Sequence, residues 1–185
     1  MEHINDVAVG ASKLLGFVVR NCNHFSLEAT RLVYCSLVRS ILKYCSVVWS
    51  PYHQIHINSV ERVQHKFLRH CAYKSHIAIV DHDYGFIENH LALMPLASCR
   101  DVCGAMFIFK LVHGDIDCPQ LLSYIRFNVP HQGLRHHVTF NVPFHRTFYG
   151  IHSLIDHYMG FLNKHPNIDI FNATISQVKR SLALQ

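Results

Sequence analysis

Tyr34-Cys35-Ser36-Leu37-Val38-Arg39-Ser40-Ile41-Leu42-Lys43-Tyr44-Cys45-Ser46-Val47-Val48-Trp49-Ser50-Pro51 is the stretch that decides the fold class. Within it Tyr34, Val38, Ile41, Cys45 and Val48 recur at offsets of four, seven, eleven and fourteen, the period of one buried helical face. Ser26 stands where an N-cap belongs, and Glu28 lies near the positive helix end. Pro51 lacks the amide that another turn would need, so a helix is predicted from Ser26 to Pro51.

Outward from this helix the same pattern repeats. Asp6 is placed to cap a helix to about Arg20 through Ala8, Ala11, Leu14, Leu15 and Val18, with Asn21-Cys22-Asn23 as a turn. On the other side, Gln54 to Tyr73 carries Val60, Val63, Phe67 and Cys71 on one stripe. Arg62, Lys66 and Arg69, at offsets of four and seven, share a second face. Three such helices with short connections predict an up-down bundle over residues 1–75.

Residues 76–185 read as a smaller helical region. The pattern predicts a short helix to about Leu93, an apolar helix from Leu96 to Val112, and a turn opened by Pro119. It also predicts two final helices, about Ser153–Asn163 and Ile175–Ala183. Ahead of them, about residues 126–150, two Val-Pro dipeptides, Gly133 and scattered Arg and aromatics predict an irregular extended arm, with room for a short strand pair. The expected class is all-α, with a three-helix bundle followed by this helical tail.

Composition narrows the function. Half of the 185 residues are hydrophobic and 16% are charged, enough for a core and unlike a disordered chain. The formal net charge of +5 suits a polyanionic partner. Seventeen His equal the Lys+Arg count, so charge should climb steeply on mild acidification. Seven Cys cannot all pair within the chain, and Met1–Asp6 lacks an apolar signal core, so an intracellular protein, cytoplasmic or nuclear, with free thiols is expected. No uninterrupted apolar run is long enough for a membrane span.

No residue spacing supports catalysis or metal binding. Cys99 and Cys103 share a helix face but lack two further ligands at zinc-site spacing, and no Cys-x-x-Cys or His-Glu-x-x-His occurs. Asp81/Asp83 and Asp115/Asp117 sit at a helix start and after Gly114, where carboxylates solvate turns. No phosphate loop or nucleophile elbow is present, so neither cofactor nor small-molecule substrate is expected. The remaining signal is basic residues beside aromatics. Arg39, Lys43, Arg62, Lys66 and Arg69 can follow a phosphate backbone. Arg135 and Arg146, with Phe140, Phe144, Phe148 and Tyr149, suit a groove with stacking partners.

Several strings resemble the carboxy-terminal region of jockey-type non-LTR retrotransposon reverse transcriptases. They are Ala11–Arg20, Tyr34–Tyr44 with Val47–Tyr52, Val60–Gln64 and Phe67–Arg69, which resemble the segment after the palm and the thumb helices. Leu93–Leu96, Asp115–Pro119, Phe127–Pro130 and His145–Gly150 resemble the family's tail. The resemblance implies a fragment of an RNA-directed DNA polymerase whose partners are an RNA–DNA or RNA template–primer duplex and the palm domain. The polymerase motif Phe/Tyr-Ala-Asp-Asp does not occur in these residues, so this chain alone is expected not to polymerise. The alternative is a host-adopted or decayed helical protein-interaction domain with no nucleic-acid role. Cys99 stands where the family has an Arg, and His65, His131 and His157 fall where basic residues are expected. Arg codons of the CGN type reach His or Cys by one transition. If decay produced this pattern, full-length relatives should carry basic residues at those four positions, which comparing the genomic locus with them will show; His or Cys there in the relatives would contradict it.

Overall fold

A computed structural model describes residues 2–79, 83–129, 138–166 and 168–183 of the chain. Helix accounts for 66% of the described residues and no strand occurs among them, so the fold is all-α. The chain divides into two compact units, Met1–Arg100 and Asp101–Gln185. The division falls beyond residue 75, where the sequence reading set it, because Tyr84, Ile87, Leu91, Leu93 and Leu96 join the core of the first unit.

In the first unit, α1 (Glu2–Asn21) buries Ala8, Ala11, Leu15 and Val18. After the turn, Ser26 caps α2 (Leu27–Tyr34) by accepting from the Ala29 amide at 3.2 Å. The predicted continuous helix to Pro51 does not form. Cys35–Arg39 is a π-helical turn, in which the Ser40 amide donates to Cys35 O, and α3 (Ser40–Lys43) follows for a single turn. The Ser36 hydroxyl donates to Val33 O and the Ser40 hydroxyl to Ser36 O, side-chain bonds that loosen the normal ladder.

The wider turn changes which residues face inward. In an α-helix an offset of seven returns to the starting face, whereas an offset of eight lies about 80° around. Here Tyr34, Val38 and Leu42, at offsets of four and eight, are fully buried, while Ile41 is 36% exposed. The helix then ends early. Tyr44 is extended, Cys45 takes a left-handed φ of 50°, and the Trp49 indole donates to Tyr44 O at 2.7 Å to hold the reversal. Cys45 is therefore exposed, and Val48, within α4 (Ser46–Trp49), is 80% exposed, in place of the core positions predicted for them.

Helix α5 (Gln54–Lys74) keeps the predicted stripe: Val60, Val63, Phe67 and Cys71 are buried. Phe67 stacks on Tyr34 with ring centroids 3.8 Å apart and planes 5° from parallel. The Lys74 ammonium donates to Cys22 O at 3.1 Å and to Phe25 O, tying the end of α5 to the end of α1. Helix α6 (Gly85–His90) adds Ile87 to the core. Helix α7 (Leu96–Val112) begins in the first unit, where the Glu61 carboxylate accepts from the Leu96 and Ala97 amides at 3.2 and 2.5 Å.

In the second unit, α7 continues, followed by α8 (Pro119–Leu122), α9 (Phe148–Ile151), α10 (Leu154–Asn163) and α11 (Ile175–Ala183). Of the arm expected over 126–150, residues 130–137 lie outside the described residues, and the rest is only partly irregular. Phe127 and Phe140 form an antiparallel bridge without extending into strands, and α9 occupies its far end. The Asn163 side chain clamps both backbone groups of Phe140, accepting from N–H at 3.0 Å and donating to C=O at 2.8 Å. Helices α7 and α10 approach closely at Gly104, where an added Cβ would fall 2.1 Å from the Tyr158 ring. Gly104→Ala should therefore cost about 1–3 kcal/mol in a urea melt. Combining it with Tyr158→Leu should cost less than the two single changes added together. Simple additivity would mean that the two groups do not meet.

Candidate nucleic-acid interface

Helices α1 and α5 point their apolar stripes into the core of the first unit, so their polar flanks meet at the surface. Small side chains on those flanks, Ala8, Ser12 and Ser59, leave an open groove of ≈ 360 Å³ between the helices. Its walls carry Asn5, Val9 and Lys13 from α1 and Arg62 and Lys66 from α5, with Val63 beneath. Among the described residues no carboxylate lines it. Among the described residues no acid comes within ion-pair distance of Lys13, Arg62, Lys66 or Arg69. Glu61, adjacent to Arg62, is turned toward Arg100 and the start of α7 instead.

Arg62 and Lys66 are thus brought together, and exposed Arg69 follows on the same helix. Arg39 has a different place. Its guanidinium donates to Met94 O and lies 3.1 Å from the Cys99 sulfur, while its Nε is buried without a partner. Lys43 is half-buried at the end of α3 and does not line the groove. Arg146 is exposed in the second unit. Arg135 and His131 lie outside the described residues, as does Asp81. Phe140, expected as a stacking partner, is fully buried because the Asn163 clamp draws it into the core, whereas Phe144, Phe148 and Tyr149 are exposed.

Lys13, which also lines the groove, is not among the basic residues the sequence singles out, because it stands alone in the apolar Val7–Val19 segment. The pattern Asn5, Val9, Ser12, Lys13 beside the buried Ala8 and Ala11 would have placed it on the flank facing α5.

The other chemistry-bearing residues serve the fold. All seven cysteines are free, and burial pushes the Cys71 thiol up to about 12, which keeps it protonated and poorly nucleophilic. Cys99 is buried against Arg39, Asp115 and Asp117 are exposed, and Asp83 accepts from the Gly85 amide at 2.9 Å to open α6. Burial, and secondarily the Lys74 charge, holds the His70 imidazole below its ordinary proton affinity. Burial raises the Glu88 carboxyl above its usual range, opposed by a hydrogen bond from Gln64. His145 and Asp156 pair at 2.8 Å, with Gly150 against the imidazole and no nucleophile in hydrogen-bond contact with it. Among the described residues no group of three or more His, Cys, Asp and Glu could hold a metal ion, and no helix is long and apolar enough to cross a membrane.

These placements separate two arginines of equal sequence appearance. Arg39→Ala should destabilise the chain by about 2 kcal/mol, since it strips Met94 O of a charged donor. Arg62→Ala should stay within about 0.5 kcal/mol of the parent. Equal effects on thermal melting would contradict the inward placement of Arg39. No protein family, curated protein or solved structure matches the chain.

Proposed function

We propose that this chain is a non-catalytic polynucleotide-binding module, related to the thumb and tail of jockey-type non-LTR retrotransposon reverse transcriptases. In this reading it grips an RNA–DNA or RNA template–primer duplex through the groove between α1 and α5. The observation that carries it is the cationic groove itself: Lys13, Arg62 and Lys66 converge with no carboxylate among the lining residues. Three cations so placed displace condensed counterions when they meet consecutive phosphates. Asn5, Ser12 and Ser59 add neutral donors for phosphate oxygens, which position a backbone without reading sequence. The resemblance supports the same partner, because the strings over Val60–Gln64 and Phe67–Arg69 lie on the helix that carries Arg62, Lys66 and Arg69. The expected compartment is intracellular, where such a duplex is found.

A second reading, a helical protein-interaction domain, is favoured by the outward apolar series Leu37, Ile41, Tyr44 and Val48, of which Tyr44 is 77% exposed. Salt separates the two. Duplex binding at micromolar protein should weaken as salt rises, with a log–log slope near −3 for three phosphate contacts, flattening by about one unit for each cation removed. Arg62→Glu with Lys66→Glu should abolish it while the helical circular dichroism stays unchanged. A slope near zero, or binding untouched by the double reversal, would discard the groove reading in favour of the apolar series.

A further inference from the structure

The second unit displays large apolar side chains that the groove reading leaves unused. Phe144 is 89% exposed, Tyr149 77%, Phe148 55% and Ile151 51%, all within eight residues. They are not a loose strand end. The His145 imidazole is pinned to the Asp156 carboxylate at 2.8 Å. It packs so tightly on Gly150 that an added Cβ there would fall 2.8 Å from Nδ1. Thr147 caps α9 by accepting from the Gly150 amide at 3.2 Å. His145 and Gly150 therefore lie side by side, and Phe144 and Tyr149, their immediate neighbours, are held on one small closed loop. Arg146 stands exposed within it. Residues 138–155 contain no carboxylate, and Asp156 is occupied by His145.

We propose that the Phe144–Ile151 loop is a binding site for the unpaired bases of a single-stranded nucleic acid, with Phe144 and Tyr149 as stacking platforms and Arg146 on the adjoining phosphate. The anchors hold the backbone that carries the two rings, and each ring stands exposed with its faces open to a flat partner. The charge around them has the sign that suits a polyanion. A duplex already stacks its bases internally and offers nothing to these rings, which distinguishes this site from the groove between α1 and α5. An isolated cation with aromatics also suits a strand better than an anionic lipid surface, where binding grows with clustered Lys and Arg. The site does not depend on the duplex reading, since it uses other residues and another form of nucleic acid.

The test compares two single strands of about ten nucleotides, oligouridylate and an abasic strand of equal backbone charge, by fluorescence anisotropy with the intact chain. Oligouridylate should bind about tenfold or more tightly than the abasic strand, the scale of one or two stacked bases. Phe144→Ala with Tyr149→Ala should remove that preference, and Tyr149→Phe, which keeps the ring, should retain it. Arg62→Glu with Lys66→Glu should leave the preference intact, so loss of duplex binding and loss of stacking are read separately. Equal binding of the two strands by the parent chain overturns the proposal, as does a preference that survives loss of both rings. So does capture by phosphatidylserine vesicles, lost with the rings, in a chain that binds no single strand.

Discussion

Two backbone amides at the start of α7, on Leu96 and Ala97, have no partner within their own helix, and the Glu61 carboxylate of α5 satisfies both. The negative charge also sits at the positive end of α7. Arg100, only 3% exposed, lies one turn into the helix and pairs with the same carboxylate at 3.6 Å. Around this centre the Gln64 amide donates to Met94 O and to Glu88, Arg39 reaches Met94 O, and the Tyr34 hydroxyl donates to Gln64. Losing one partner of a buried ion pair typically costs about 3–5 kcal/mol, because the other charge is stranded. The hub fixes the rotation of α5 about its axis: with Glu61 and Gln64 turned toward α7 and Met94, Arg62 and Lys66, displaced around the helix, face the flank shared with α1. The cationic groove is thus a consequence of an inward polar contact.

Much of this was readable from residue spacing. The faces of α1 and α5 follow an unbroken period, so Ala8, Ala11, Leu15, Val60, Val63 and Phe67 could be placed without coordinates. The segment after Tyr34 could not. Ile41 and Leu42 are both apolar, and a helix of normal pitch selects the first; the hydroxyls of Ser36 and Ser40, competing for backbone carbonyls, widen the turn and select the second. Cys45 adds a left-handed residue that no glycine announces. Sequence also could not separate Arg39 from Arg62. Both are basic residues on helices, and only the distant Met94 carbonyl and Cys99, brought in by α6 and α7, turn one of them inward.

The histidines find a physical explanation in the same local terms. Three pairs spaced four residues apart on or at the ends of helices, Phe109/His113, Phe148/His152 and Phe161/His165, bring their rings to centroid distances of 4.1, 4.6 and 4.6 Å. His65 stacks on Tyr84 at 4.2 Å. An imidazole in this position covers an aromatic face as a flat, partly polar plate, at the spacing where helical neighbours touch. A guanidinium also stacks on rings, so its replacement by imidazole keeps the planar contact while giving up the permanent charge.

The difference between a planar imidazole and a permanent cation also separates their surroundings here. His65 and His157 sit beside rings or, for His157, 3.9 Å from Asp101, places where a planar group suffices. Lys13, Arg62, Lys66 and Arg69 contact no carboxylate and no ring among the described residues, so their charge contributes little to folding. Stability cannot distinguish a lysine from a neutral polar residue at such exposed positions, where substitutions shift it by about 0.5 kcal/mol or less. Mutual repulsion of like charges there is also small, on the order of 1 kcal/mol even at contact in water. The fold therefore neither requires four cations on this face nor opposes them. Packing alone gives no reason for gathering them on one face, and a polyanionic partner, as proposed above, would give one.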